Sequence, residues 1–301
     1  MAIQSPSLDI AGAAVQATPA SASRGYWKSV RRRLWRDPVT LLCAGVLILI
    51  VLASIAAPWL GLADPYKTSM IRRLLPVGSP NFPLGTDELG RDMLARLIYG
   101  GRLSLFMGVT PVVCALVIGG LLGITAGFAG GRVNMLIMRV MDVFYAFPSV
   151  LLAISLSGAM GAGTENTLLS LTLVFIPPIC RVSESITTQV RGFDFVDAAR
   201  ASGASTLTIV RVHVLGNVLG PILVYSTSLI SVAIILAAGL SFLGLGVKPP
   251  EPEWGLMLNT LRQAIYVNPL LAALPGVMIF VTSICFNLMS DGLRAAMDVK
   301  A

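Results

Sequence analysis

The chain offers little to soft-metal or thiol chemistry: one histidine, His213, and four cysteines, Cys43, Cys114, Cys180 and Cys285. One imidazole cannot build a multi-His centre, and no two cysteines stand as a CxxC pair. The cysteines all sit in apolar stretches and read as small buried hydrophobes. None of the four lysines (Lys28, Lys67, Lys248, Lys300) follows a glycine, so the chain has no GxxxxGK[ST] phosphate loop. HExxH needs a second histidine, and there is no GxSxG elbow. The sequence therefore predicts no catalytic residue and no cofactor or metal site of its own. What remains are acids inside or beside apolar runs: Asp142, Glu184 and Asp291. Each has an arginine three residues away, respectively Arg139, Arg181 and Arg294. On a helix that spacing puts the two on one face, which predicts interfacial ion pairs that fix helix depth. A proton relay is the alternative reading of acids in such runs.

The elements that carry these residues are set by hydropathy. Of 301 residues, 55% are hydrophobic and 12% charged, against about 25% charged in soluble chains. Uncharged runs lie between Asp37 and Asp64, Arg102 and Arg132, Asp142 and Glu165, Arg211 and Lys248, and Arg262 and Asp291. Each exceeds the roughly 20 residues a helix needs to cross the hydrocarbon. A shorter run from Asn166, interrupted by Pro177 and Pro178, extends to about Gln189 if Arg181 and Glu184 pair. The expectation is an all-α integral membrane protein with six transmembrane helices, at about 38–62, 103–128, 141–163, 166–189, 219–243 and 270–291. The net charge of +7 fits cationic membrane flanks better than nucleic acid, which needs basic residues gathered on a soluble face.

Orientation follows from Lys and Arg. Arg24, Lys28, Arg31, Arg32, Arg33 and Arg36 precede the first span, predicting a cytoplasmic N-terminus and, with six spans, a cytoplasmic C-terminus. Residues 1–36 read as a cytoplasmic tail, disordered over the Ala, Ser and Pro-rich residues 1–25. No positive n-region precedes an apolar core there, so a cleavable signal peptide is not expected.

Gly119, Gly123, Gly127 and Gly131 recur every four residues, a stripe that lets a neighbouring backbone approach. Helix packing is the first reading of it and direct substrate contact the second. Pro111, Pro148, Pro177, Pro178, Pro221 and Pro275 predict kinks or breaks, as in helices that line or gate a path.

The inside loop over 190–218 contains RGFDFVDAARASGASTLTIVRVHVLGNVLG. Asp194 can cap a short helix through Arg200, Gly203 can end it, and Ser205 can cap a second helix with Leu207, Val210 and Val214 on one face. Small residues flanked by Phe193 and Phe195 suit close docking of a cytoplasmic partner. The pattern Asp197-Ala198-Ala199-x3-Gly203-x9-His213-Val214-Leu215-Gly216 resembles the EAA signature of permease subunits of ABC importers. Asp197 stands for the usual Glu, and Gly216 stands where that family commonly has Pro. Three further blocks, Pro83 to Leu105, Ser241 to Gly255 and Phe286 to Asp298, resemble the peptide/opine/nickel branch and its dipeptide and oligopeptide permease C subunits. In the first block Asp87 and Glu88 suit a helix start, and Leu89, Met93 and Leu97 predict an amphipathic helix at the outer interface. In the second, Trp254 suits an interface belt.

The resemblance implies a type I ABC importer permease fold in the bacterial cytoplasmic (inner) membrane. It implies a homologous B-type permease, two ABC ATPase subunits that hold the ATP and Mg, and an extracytoplasmic solute-binding protein. The EAA loop, with Asp197, Ala198, Ala199 and Gly203, would be the coupling helix seated on the ATPase. A proton-coupled secondary transporter using Asp142 or Glu184 is the rival, and it leaves that loop unexplained.

Overall fold

The computed structural model describes residues 30–297. The expected tail therefore lies outside the described residues up to position 29, and residues 30–34 are helical. Five helices are long and apolar enough to cross a membrane, and a bent pair makes up to six. No β-strand occurs among the described residues beyond two isolated bridges. The fold is the expected all-α membrane architecture.

Helix α1 (Pro38–Ala56) starts where Asp37 accepts the Val39 amide and Pro38 takes the first turn, where its missing N–H costs nothing. Helix α2 (Met93–Ala129) starts at Asp92, which accepts the amides of Leu94 and Ala95, and ends at Gly130 with φ of 66°. Helices α3 (Gly131–Tyr145) and α4 (Ser149–Met160) follow at 84° to one another. Then come α5 (Thr164–Arg191) and the short α6 (Asp194–Ala201). Helix α7 is one rod from Thr206 to Phe242, with a π-helical turn at Ile209–Val214. Helices α8 (Trp254–Thr260) and α9 (Pro269–Met297) complete the order. The α2–α5 interface is the most extensive, α7 packs on both α2 and α9, and α1 lies outside against α9. The main core fills the space among α2, α5 and α7.

Several expectations need correction. Pro111, Pro177, Pro178, Pro221 and Pro275 all sit inside continuous helices. Packed neighbours can hold a helix together through one lost hydrogen bond. The break comes at Pro148, which precedes the first turn of α4. The span expected at 141–163 is a bent pair that begins at Gly131, broken at Pro148 as its proline implied. The loop drawn over 190–218 is shorter, because α7 already begins at Thr206. Cys43, Cys180 and Cys285 are buried, but Cys114 is exposed.

The segment between α1 and α2 holds no amphipathic helix over 87–97; α2 begins only at Met93. Asp87 is 2% exposed and binds two buried guanidinium groups, Arg91 at 2.6 Å and Arg96 at 3.3 Å. Arg96 also donates to the carbonyls of Pro65 and Pro250, fastening this segment to the one before α8. Trp254 is no belt residue. It is fully buried, with Nε1 donating to the Leu97 carbonyl and its amide to Ser104 Oγ. An indole whose N–H finds a partner can leave the interface. Glu253 beside it is buried as well; it caps α8 by accepting the amides of Gly255 and Leu256, each at 2.8 Å, and accepts Ser104 Oγ. Burial pushes its carboxyl above the ordinary carboxylate range.

Candidate functional site

Helix α6 is built from local signals. Asp194 and Asp197 fill its first turn and Arg200 its last, each favourable to the helix dipole. The residue before it is Phe193, extended, so Asp194 is the first helical residue rather than the cap. Gly203, at φ of 80°, turns the chain away while its amide reaches the Arg200 carbonyl and the Ala204 amide reaches that of Ala199. Ser205 caps α7, its Oγ accepting the Thr208 amide.

The helix has two sides. Inward, Val196 is fully buried and Ala199 is half-buried against the same core. Arg200 lies over the ring of Phe128 at the C-terminal end of α2, with 5.8 Å to the centroid. Phe195 meets His213 of α7 at 6.3 Å. Outward, Phe193, Asp197, Ala198 and Ser202 are exposed, and the rings of Phe193 and Phe195 lie 5.7 Å apart. Asp197 and Arg200 form an exposed pair at 3.1 Å. Within this chain nothing lies within 4 Å of a would-be Cβ at Gly203, and its positive φ serves the turn. Leu207 is exposed, so the expected shared face is buried only at its Val210 and Val214 end.

The glycine stripe packs α2 on α5. A Cβ at Gly119 would stand 2.7 Å from the Ile176 carbonyl oxygen. At Gly123 it would meet the Cys180 carbonyl and stand 2.6 Å from Ser183 Cβ; at Gly127 it would stand 2.6 Å from the Glu184 carbonyl oxygen. Gly131 does not belong to the stripe. It lies past the end of α2, at φ of 51°, with open space around it.

Asp142 and Glu184 each find a partner on another helix. Asp142 pairs with Arg181 of α5 at 2.5 Å rather than with Arg139. Glu184 accepts Asn134 Nδ2 of α3 at 2.6 Å and Thr188 Oγ1 at 3.1 Å, rather than Arg181. Tyr145 stacks on Arg181, 4.7 Å from guanidinium to centroid. Next to this pair the α3–α4 bend, Pro177 and Pro178 of α5 and Leu229, Val232 and Leu236 of α7 surround an apolar cavity of about 490 Å³. Sequence spacing could not find these pairs, although arginine within an apolar run was the available signal.

A membrane body of long helices, close-packed through glycine and carrying one short polar-edged helix between two of them, defines a multi-pass membrane protein. Comparison with known proteins makes this specific: the chain belongs to the family described as binding-protein-dependent transport system inner membrane component, whose profile matches residues 119–300. A second profile, the N-terminal TM domain of oligopeptide transport permease C, matches residues 25–76. The chain is 43% identical to the di/tripeptide transport system permease protein DppC of Pseudomonas aeruginosa, over 84% of this chain and 86% of that one. It is 37% identical to the probable D,D-dipeptide transport system permease protein DdpC of Escherichia coli, over 88% and 89%. With the glutathione transport system permease protein GsiD of Pectobacterium atrosepticum it shares 38% identity over 92% of each chain. Among solved structures, the inward-facing MetNI methionine ABC transporter shares the fold, with a TM-score of 0.56 and 20% identity over 68% of this chain and 97% of that chain. The chain is thus an inner-membrane permease component of an ABC importer.

Proposed function

We propose that this chain forms half of the translocation path for small peptides or a related solute, and that α6 couples it to a cytoplasmic ATPase. The reading assigns both termini and α6 to the cytoplasmic side. It requires a homologous second permease, two ABC ATPase subunits carrying ATP and Mg, and an extracytoplasmic solute-binding protein. The carrying observation is the two-sided character of α6: Val196, Arg200 and Phe195 tie it to the inner ends of α2 and α7, while Phe193, Asp197 and Ala198 face out. A partner seated on that outer face would move both long helices together. The substrate class rests on the named transport of the relatives, which are peptide and glutathione permeases.

The test is bulk on the outer face. Ala198→Trp should overfill a shaped groove, at about 1–3 kcal/mol, which is several-fold to roughly a hundredfold weaker assembly at 1.4 kcal/mol per tenfold. Asp197→Glu, in an exposed pair of little energetic weight, should be nearly silent. Co-purification of the ATPase, ATP hydrolysis and uptake would be measured for both. Full uptake by Ala198→Trp would reduce α6 to a solvated connection.

A further inference from the structure

Helix α5 presents two unlike faces. One, with Ile176, Cys180, Ser183 and Thr187, is consumed by the glycine stripe of α2. The other carries Arg181 and, toward the inner end, the exposed polar residues Ser185, Thr188 and Gln189. Arg181 and its partner Asp142 are each 48% exposed in side chain, although both helices belong to the membrane body. Charges within spanning helices are costly against lipid and turn to protein or water. The chain also abandons helical geometry over residues 146–148, directly after Tyr145. Backbone of that kind is tolerated within a membrane only where it is buried in protein or lines a water-filled cavity. Two independent signals therefore mark one place as turned away from lipid, toward protein or an aqueous space.

We infer that Asp142, Tyr145 and Arg181 form a station on the translocation path that receives the charged ends of a zwitterionic solute. This rests on the peptide-permease reading above. Arg181 offers the guanidinium fork that suits a carboxylate, and Asp142 offers an acceptor for an ammonium group. The adjoining cavity of about 490 Å³, lined by Phe144, Phe147, Leu152, Val174 and Leu236, takes an apolar side chain. Its volume falls within the ordinary range of small-ligand sites. A half-exposed pair holds weakly, so its two members can exchange one another for the two ends of a passing dipeptide and close again behind it.

The experiment uses the complete transporter in proteoliposomes with its binding protein and the dipeptide alanyl-phenylalanine. In a chain with Cys43, Cys114, Cys180 and Cys285 replaced, Ser149→Cys lines the cavity and Leu169→Cys is an exposed apolar position of α5. A charged, impermeant thiol reagent should modify position 149 at least tenfold faster than position 169, and dipeptide should slow the reaction at 149. Equal, slow modification at both positions would place the cavity against lipid or the second permease and overturn the inference. In the uptake arm, Arg181→Gln should lower dipeptide uptake per assembled complex at least tenfold, and Asp142→Asn with Arg181→Gln should not restore it. Recovery in the double variant would make the pair a strut between helices. Wild-type uptake of dipeptide with unaffected Arg181→Gln would sink only this station. Wild-type failure to take up any dipeptide would sink the peptide reading and the station's ligand with it.

Discussion

Substituting Gly123 by alanine adds one methyl group at the tightest point of the glycine stripe between α2 and α5. That methyl would meet the Cys180 carbonyl, stand 2.6 Å from Ser183 Cβ and stand 2.9 Å from the Glu184 amide nitrogen. Ordinary contact begins at 3.4 Å, and two of these neighbours are backbone, so α5 must retreat by about 1 Å. A retreat there loosens the packing at Gly119 and Gly127 too, because one rigid helix serves all three. Overfilling of this kind costs about 1–3 kcal/mol. Two controls isolate the cause. Gly45 lies inside α1 with open space around it, so Gly45→Ala should gain about 0.5–1 kcal/mol of helix propensity. Gly131 has open space but a positive φ, so Gly131→Ala should cost about 1–2 kcal/mol through backbone strain alone. Unfolding of the purified chain in mixed micelles should therefore rank Gly45→Ala above wild type and Gly123→Ala well below it. Gly123→Ala as stable as Gly45→Ala would refute the close-approach reasoning.

Further outcomes concern the outer layer. Asp87→Asn leaves Arg91 and Arg96 buried without their shared carboxylate, and should destabilise by about 3–5 kcal/mol; a loss under about 1 kcal/mol in the same micelle assay would show the cluster to be well hydrated. Burial raises the carboxyls of Glu88, Asp92 and Glu253 alike. The folded chain then keeps protons that the unfolded chain has released, so this contribution is fullest at or below the ordinary carboxylate value and is lost as pH rises through the raised values. Wild type should therefore lose stability relative to Glu253→Gln between about pH 4.5 and neutrality, and a constant difference in melting temperature across that range would contradict it.

The architecture was legible in the sequence because hydrocarbon imposes a one-dimensional demand. An uncharged run either is long enough or is not, and α1, α2, α7 and α9 overlap such runs. The short helix α6 was legible for a similar reason, since its acidic first turn, Gly203 and Ser205 all act within a few residues. Pairings across the chain were not legible. Helical spacing can propose only partners on the same helix, so it offered Arg139 for Asp142, whereas packing of α3 on α5 supplies Arg181. Trp254 reads as an interface residue until Ser104 and the Leu97 carbonyl are brought to it. Spacing also carried the glycine stripe one step too far. The adjacent Gly130 and Gly131, both at positive φ, mark the end of α2 rather than its continuation.

Helices α2 and α7 are each 37 residues long, about 55 Å at 1.5 Å per residue. Each has one end next to α6, through Phe128 and His213. Their other ends lie far beyond, where α2 carries Arg96 into the buried charge cluster and α7 runs out at Phe242. Rods of that length act as gearing: a tilt of about 5° at the end beside α6 sweeps the far end through about 5 Å for a 55 Å rod. A small tilt beside α6 would thus reach the far end of each helix at the scale of a side chain.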